Sequence, residues 1–225
     1  MKIGSLFSGV AGLDRAVEAV TGATPAWFVE FDKAPSQVLA RHYPGVPNYG
    51  DVTAVDWAQV EPVDILTGGF PCQDLSHAGK RAGLRPGTRS GLWEHMAYAI
   101  EQLHPRLVVI ENVRGLLSAT AHGEVEPCPW CLGDESDSYV RALGAVLADL
   151  ADIGYDARWL GLRASDAGAP HLRFRVFIIA FPTRDADGID ERDHLSGSWQ
   201  GIPGRRRGQT DSRDESVVCR RCVCG

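Results

Sequence analysis

Through the first 181 residues, short apolar runs alternate with segments of helical spacing. The runs are Lys2–Leu6 (KIGSL), Ala26–Phe31 (AWFVEF), Val63–Thr67 (VDILT), Leu107–Ile110 (LVVI), Asp156–Leu162 and Leu172–Phe181. Short apolar runs bounded by turn residues read as buried strands. Lys33–His42, Gly91–Leu103 and Tyr139–Ala151 read as helices, and Leu92, His95, Met96, Ala99, Ile100 and Leu103 form the apolar stripe of the second. Alternation of this kind predicts a doubly wound, Rossmann-like α/β domain over residues 1–181. Open sheets of this class bind ligands at the carboxyl ends of their strands, so the residues there carry the functional reading.

The first run leads into Phe7–Asp14 (FSGVAGLD) and then a helical pattern. A strand, a glycine loop and a helix make the unit that holds a nucleotide-like cofactor, because Gly9 and Gly12 let the backbone approach it closely. A tight turn produces the same local pattern. Glu30 ends the second run, about 20 residues on, where an acid pairs with ribose hydroxyls. Asp51, in Asn48–Val52 (NYGDV), either accepts from an adenine amino group or caps a helix over Thr53–Val60.

Val63–Thr67 runs into Gly68–Gly83 (GGFPCQDLSHAGKRAG), which delivers Cys72 between Pro71 and Gln73. A cysteine on a loop shaped by glycine and proline is a candidate nucleophile, since reactivity needs access and a lowered pKa. Taken alone, it reads more readily as a small buried core residue, and the motifs around it reverse that. Lys80, Arg81, Arg85 and Arg89 gather positive charge beside it. Glu111, after Leu107–Ile110, is a candidate acid or a partner in a loop salt bridge.

A net charge of −6 argues against a general nucleic-acid coat but leaves room for a local basic cleft. No apolar run approaches the ~18 residues of a membrane span, and a cytosolic protein is expected. Cys128, Cys131, Cys219 and Cys222 form two CxxC pairs that suit tetrahedral zinc. Their wide separation favours plain thiols, so no metal is assigned. Residues 182–225 are rich in Asp, Arg, Gly and Ser and are expected to form a largely disordered tail.

Taken in order, FSGVAGLD, Glu30, Gly50-Asp51-Val52, Phe70-Pro71-Cys72-Gln73, Glu111-Asn112-Val113 and Arg173-Phe174-Arg175 resemble the DNA cytosine-5 methyltransferase family. The loop of enzymes that methylate exocyclic amines (D/N/S-P-P-Y/F) is absent. The resemblance implies S-adenosyl-L-methionine as cofactor, held by Phe7, Gly9, Val10, Gly12, Glu30, Phe31, Asp51, Val52 and Leu92. It implies Cys72 as the nucleophile toward cytosine carbon 6, Glu111 as proton donor at N3, and Arg173 and Arg175 near the pocket. The substrate would be double-stranded DNA with the target base flipped out, in a bacterial or phage-infected cell. Ala11 stands where the family often has glycine, and His171 where glutamine often precedes the arginines. The family continues past Arg175 into a target-recognition domain and a final helix that completes the cofactor pocket. Residues 182–225 are too short and polar for both, which suggests a truncated enzyme or one that needs a second polypeptide. An inactive cofactor- or DNA-binding remnant and a transfer-RNA cytosine-5 methyltransferase are the alternatives.

Overall fold

The computed structural model describes residues 1–71, 91–117 and 142–183, all of which lie in one compact unit. Six strands form one mixed sheet: β1 (Lys2–Leu6), β2 (Thr24–Val29), β3 (Ile65–Gly68), β4 (Leu107–Val113), β5 (Tyr155–Arg163) and β6 (Phe174–Pro182). Their order across the sheet is β2-β1-β3-β4-β6-β5. The pairs β1/β2, β1/β3 and β3/β4 are parallel, whereas β6 runs antiparallel to both β4 and β5. The sheet is Rossmann-like, as the alternation predicts. The antiparallel insertion of β6 was not legible, because β5 and β6 both read simply as apolar strands.

Among the described residues, four α-helices flank the sheet: α1 (Gly12–Thr21), α2 (Lys33–His42), α3 (Leu92–Leu103) and α4 (Ala142–Asp152). The central strands are buried on both faces, which is why they read as continuous apolar runs. On one face Trp93, Met96 and Ile100 of α3 and Val146 and Leu150 of α4 join Leu66, Val108, Ile110, Val176 and Ile178 in the main core. On the other, Val17 of α1 packs with Ile3 and Ile65, and Leu39 of α2 with Phe28 and Ala11. The buried face of α3 keeps Met96, Ala99 and Ile100 of the expected stripe and adds Trp93 and Ala97. Leu92 and His95 are only half-buried. The Trp93 indole accounts for the rotation: its ring stacks at 5.0 Å on Phe70 and its N–H donates to Asp149 at 2.7 Å.

β4 extends to Val113, three residues beyond its apolar run, because β6 pairs with it as far as Val113↔Arg175. Residues directly opposite share a face. Val109, Glu111 and Val113 therefore lie on the same face as Ile179, Phe177 and Arg175. On β5 that face continues through Leu160 and Leu162, which are exposed, and none of Leu160, Leu162, Phe177 and Ile179 belongs to a core cluster.

Gly4 marks the tightest contact in the sheet. Trp27 lies across it so closely that a methyl group there would overlap the indole ring. The ring is fully buried and its N–H donates to the Glu61 carbonyl at 2.8 Å, so it cannot swing away freely. Gly4→Ala should destabilise the fold by roughly 1–3 kcal/mol, the usual cost of overpacking. Chemical denaturation checks this, and an unchanged midpoint would contradict the packing described.

Candidate active site

The register of the three central strands builds the site. Leu6 pairs with Gly68 and Gly68 with Ile110, so Phe7, Gly69 and Glu111 come next in line across the same sheet edge. A Cβ built on Gly69 would lie 3.3 Å from Glu111 Oε2, so the carboxylate rests directly on the backbone that leads to Cys72. Asn112 donates from Nδ2 to the Phe70 carbonyl at 3.0 Å, while its Oδ1 accepts from Val113 N–H. Phe70 is buried against Trp93, and Pro71 is exposed. The chain is thus pinned from both sides just before Cys72, which itself lies outside the described residues.

Glu111 is a strand residue, not part of a loop. It pairs with Arg175, whose Nε lies 2.5 Å from Oε1. That N–H is not directed at the carboxylate, so the buried Nε has a compensating charge but no hydrogen bond. The Arg175 Nη1 donates to the Phe174 carbonyl at 2.9 Å. Two candidate residues are therefore brought together. Arg173 is exposed just before β6, and its backbone carbonyl accepts from Ala164 N–H at 2.8 Å.

The glycine loop has an unusual backbone. Phe7, Gly9 and Ala11 have φ of 53°, 53° and 61°, and the residues between them do not share this left-handed conformation. Backbone that alternates hands in this way turns successive N–H groups toward one side, a favourable seat for an anion. Here the Glu30 carboxylate takes part of that seat: Oε2 accepts from Gly9 N–H at 2.7 Å and Oε1 from Asp32 N–H at 2.8 Å. Glu30 thus shapes the loop as well as presenting an acid beside it. Ala11 is buried and left-handed, which explains why glycine suits this position: a side chain there costs about 1–2 kcal/mol of backbone strain. Val10 and Phe31 are 59% and 75% exposed beside this loop and strand end.

Asp51 is in fact a cap. Its Oδ1 accepts from the Thr53 N–H at 2.9 Å and hydroxyl at 2.8 Å, at the start of the short 3₁₀ turn Val52–Ala54. These bonds hold its carboxyl below the usual range, with His95 of α3 adding to the effect. Capping leaves Oδ2 without a partner among the described residues, so both readings of Asp51 stay compatible. Val52 is buried in the main core and Leu92 packs against it.

A buried carboxylate that sequence reasoning missed lies beneath the loop. Asp14, in the first turn of α1, is fully buried and bonds to the Thr67 hydroxyl of β3 and the Ser5 hydroxyl of β1. Only its helical position was visible in the sequence, and an acid in a first helical turn usually faces water. Burial pushes its pKa up, and the bonds from Thr67, Ser5 and its own N–H oppose that shift without cancelling it. A folded-state pKa above the unfolded value means a stabilising contribution that is complete at low pH and is lost as pH rises through the folded pKa. Asp14→Asn should therefore gain stability relative to the unmodified chain as pH rises from the ordinary aspartate range toward neutrality. Denaturation midpoints of both proteins across that range check this, and a constant difference would contradict it.

The match to known proteins fits this geometry. The model of the C-5 cytosine-specific DNA methylase family matches residues 1–194. The chain is 31% identical over 183 residues to the Type II methyltransferase M.NlaIV of Neisseria lactamica, covering 79% of this chain and 40% of that protein. It is 30% identical to a protein of Escherichia phage P1 named DNA N-6-adenine-methyltransferase, covering 91% of this chain and 31% of the relative. The chain thus spans less than half the length of either relative. Among solved structures, a mutant DNMT2 of Spodoptera frugiperda superposes with a TM-score of 0.60 at 18% identity, over 85% of this chain and 53% of that one, a likeness of fold. With residues 1–194 of its 225 matched, the chain belongs to the C-5 cytosine-specific DNA methylase family.

Proposed function

We propose that residues 1–181 are the catalytic domain of a DNA cytosine-5 methyltransferase that uses S-adenosyl-L-methionine. The observation that carries this reading is the Glu111 carboxylate against Gly69, with Asn112 holding Phe70, three and two residues before Cys72. The name of the phage relative points to adenine N6 instead, but the Phe70-Pro71-Cys72-Gln73 loop supplies a thiol, which amine methylation does not need.

The residues beside the glycine loop fit the cofactor. Left-handed Gly9 has open space beside it, Glu30 offers carboxylate oxygens to a ribose, and Val10 and Phe31 offer apolar surface to an adenine ring. Gly12, Asp51, Val52, Phe7 and Leu92 complete this set. When bound, S-adenosylmethionine supplies an electrophilic methyl group.

The chain's own residues prepare the base to accept it. The Cys72 thiolate forms a bond to carbon 6, and the electron pair displaced from the 5,6 double bond moves toward N3. Glu111 delivers a proton to N3, and carbon 5 becomes the nucleophile of an enamine. After transfer, a base removes the carbon-5 proton, the 5,6 bond reforms as Cys72 leaves as thiolate, and the N3 proton returns to Glu111. Arg175 steadies the Glu111 carboxylate before the base arrives; it then turns to the base carbonyl, and Glu111, freed of that charge, takes up the proton it delivers.

Double-stranded DNA is the proposed substrate, and its target reader lies in a part of the relatives that this chain does not match. The open face at Leu160, Leu162, Phe177 and Ile179 supports docking of further polypeptide against the sheet. Of the expected tail 182–225, Pro182 ends β6, and residues 184–225 and the four cysteines considered for zinc lie outside the described residues. Among the described residues, no helix is long and apolar enough to cross a membrane.

The test is transfer of a labelled methyl group to duplex DNA and to transfer RNA. Cys72→Ser should abolish transfer to DNA while leaving cofactor binding nearly intact. Glu111→Gln should slow it by roughly 10²–10⁴-fold, the range of general acid catalysis. Wild-type turnover by Cys72→Ser, label on adenine, or label on transfer RNA alone would overturn the proposal.

A further inference from the structure

We infer that Asn48 is a positioning residue for the cofactor's nucleoside, joining the ribose-side acid Glu30 to the adenine-side acid Asp51. This rests on the cofactor reading above.

Asn48 lies on a segment that runs beside β2 through a single parallel bridge, Phe28↔Asn48. Phe28 N–H donates to the Pro47 carbonyl and Tyr49 N–H to the Phe28 carbonyl, both at 2.9 Å. This fixes the backbone, and the side chain then reaches across to the end of β2. Its Oδ1 accepts from Glu30 N–H at 2.9 Å and from Gly50 N–H at 3.1 Å. Its Nδ2 donates to the Glu30 carbonyl and to Ser36 Oγ, both at 3.1 Å.

An amide has two acceptor sites on oxygen and two donors on nitrogen, and all four are used here. One side chain therefore fixes both backbone polar groups of Glu30. It also fixes the N–H of Gly50, the residue with φ of 77° that turns the chain into Asp51. Through Glu30 the link extends to Gly9 N–H in the glycine loop. Three short stretches, far apart in sequence and each presenting one contact to a nucleoside, are held in register by this amide.

The arrangement requires an amide. Aspartate would keep the acceptor for the two N–H groups but place a second oxygen against the Glu30 carbonyl. Alanine would remove all four bonds and leave the Asp51 turn free to move relative to Glu30. Either change should spread the nucleoside contacts over many geometries without touching the nucleophile loop.

The test is calorimetric titration of S-adenosylhomocysteine and of adenosine into the full chain, alone and as Asn48→Ala and Asn48→Asp, with thermal melts as a check on folding. Both variants should lose roughly ten- to a hundredfold in affinity for S-adenosylhomocysteine, the scale of one or two hydrogen bonds. Adenosine affinity should fall by the same factor, since the loss sits in the nucleoside half. In methyl transfer the change should appear in KM for the cofactor more than in kcat. In a double-mutant cycle, Asp51→Asn should cost less in the Asn48→Ala background than alone. Undiminished affinity in folded variants, a loss confined to kcat, or strictly additive effects would overturn the inference. Failure of the unmodified chain to bind either ligand would overturn the cofactor reading and this inference with it.

Discussion

The parallel register of β1, β3 and β4 is the constraint on which the rest of the structure depends. Because Leu6, Gly68 and Ile110 sit side by side, their strands end together, and the residues that follow each one meet at a common edge. A slip of one residue would send every side chain to the opposite face of the sheet. Glu111 would then enter the α3 and α4 core, and Asn112 would no longer face the Phe70 carbonyl. The apolar runs enforce the register, since Leu66, Val108 and Ile110 are buried on one face and Ile3 and Ile65 on the other. Core packing and site geometry are one requirement here, not two.

At the edge, several polar side chains bind backbone groups. Asn112 takes the Phe70 carbonyl, Glu30 takes the N–H groups of Gly9 and Asp32, and Asn48 takes Glu30 and Gly50. Loops shaped this way carry ordered backbone without a core of their own, because each bond satisfies a group that a turn would otherwise leave to water. The loop after β1 adds strain to this, with bulky Phe7 in a left-handed conformation. Such backbone persists only where its surroundings over-determine it, and it collects at functional sites. Asp14 supplies part of that support from below, joining α1 to β1 and β3 through the Ser5 and Thr67 hydroxyls.

Much of this was legible in the sequence because burial on both faces leaves continuous apolar runs. Lys2–Leu6 and Lys33–His42 are found with the bounds the pattern gives, and the other strands and α-helices differ by a few residues at their ends, but the helix considered over Thr53–Val60 is instead two short 3₁₀ turns, Val52–Ala54 and Trp57–Gln59. The candidate residues were legible as residue types at strand ends. What they touch was not. The Glu111–Arg175 pair depends on β6 lying antiparallel beside β4, a long-range choice that no local pattern encodes. Asp51 carried its cap signal openly, yet an Asx cap and a ligand acid look alike in sequence. Asn48 and Asp14 were missed for a common reason. Each is an ordinary polar residue locally, and its role arises only when tertiary contacts supply the partners.

The central claim is that Cys72 and Glu111 act together on one cytosine ring. It is tested most directly by incubating the chain and S-adenosylmethionine with a duplex of mixed sequence that carries 5-fluorocytosine. Fluorine cannot leave as a cation, so the sequence of steps halts with the enzyme attached to the methylated base. Peptide mass spectrometry should then find the modified nucleotide on Cys72, at a yield that Glu111→Gln lowers sharply. A cofactor-binding chain that forms no adduct, or forms one at another residue, would contradict the account.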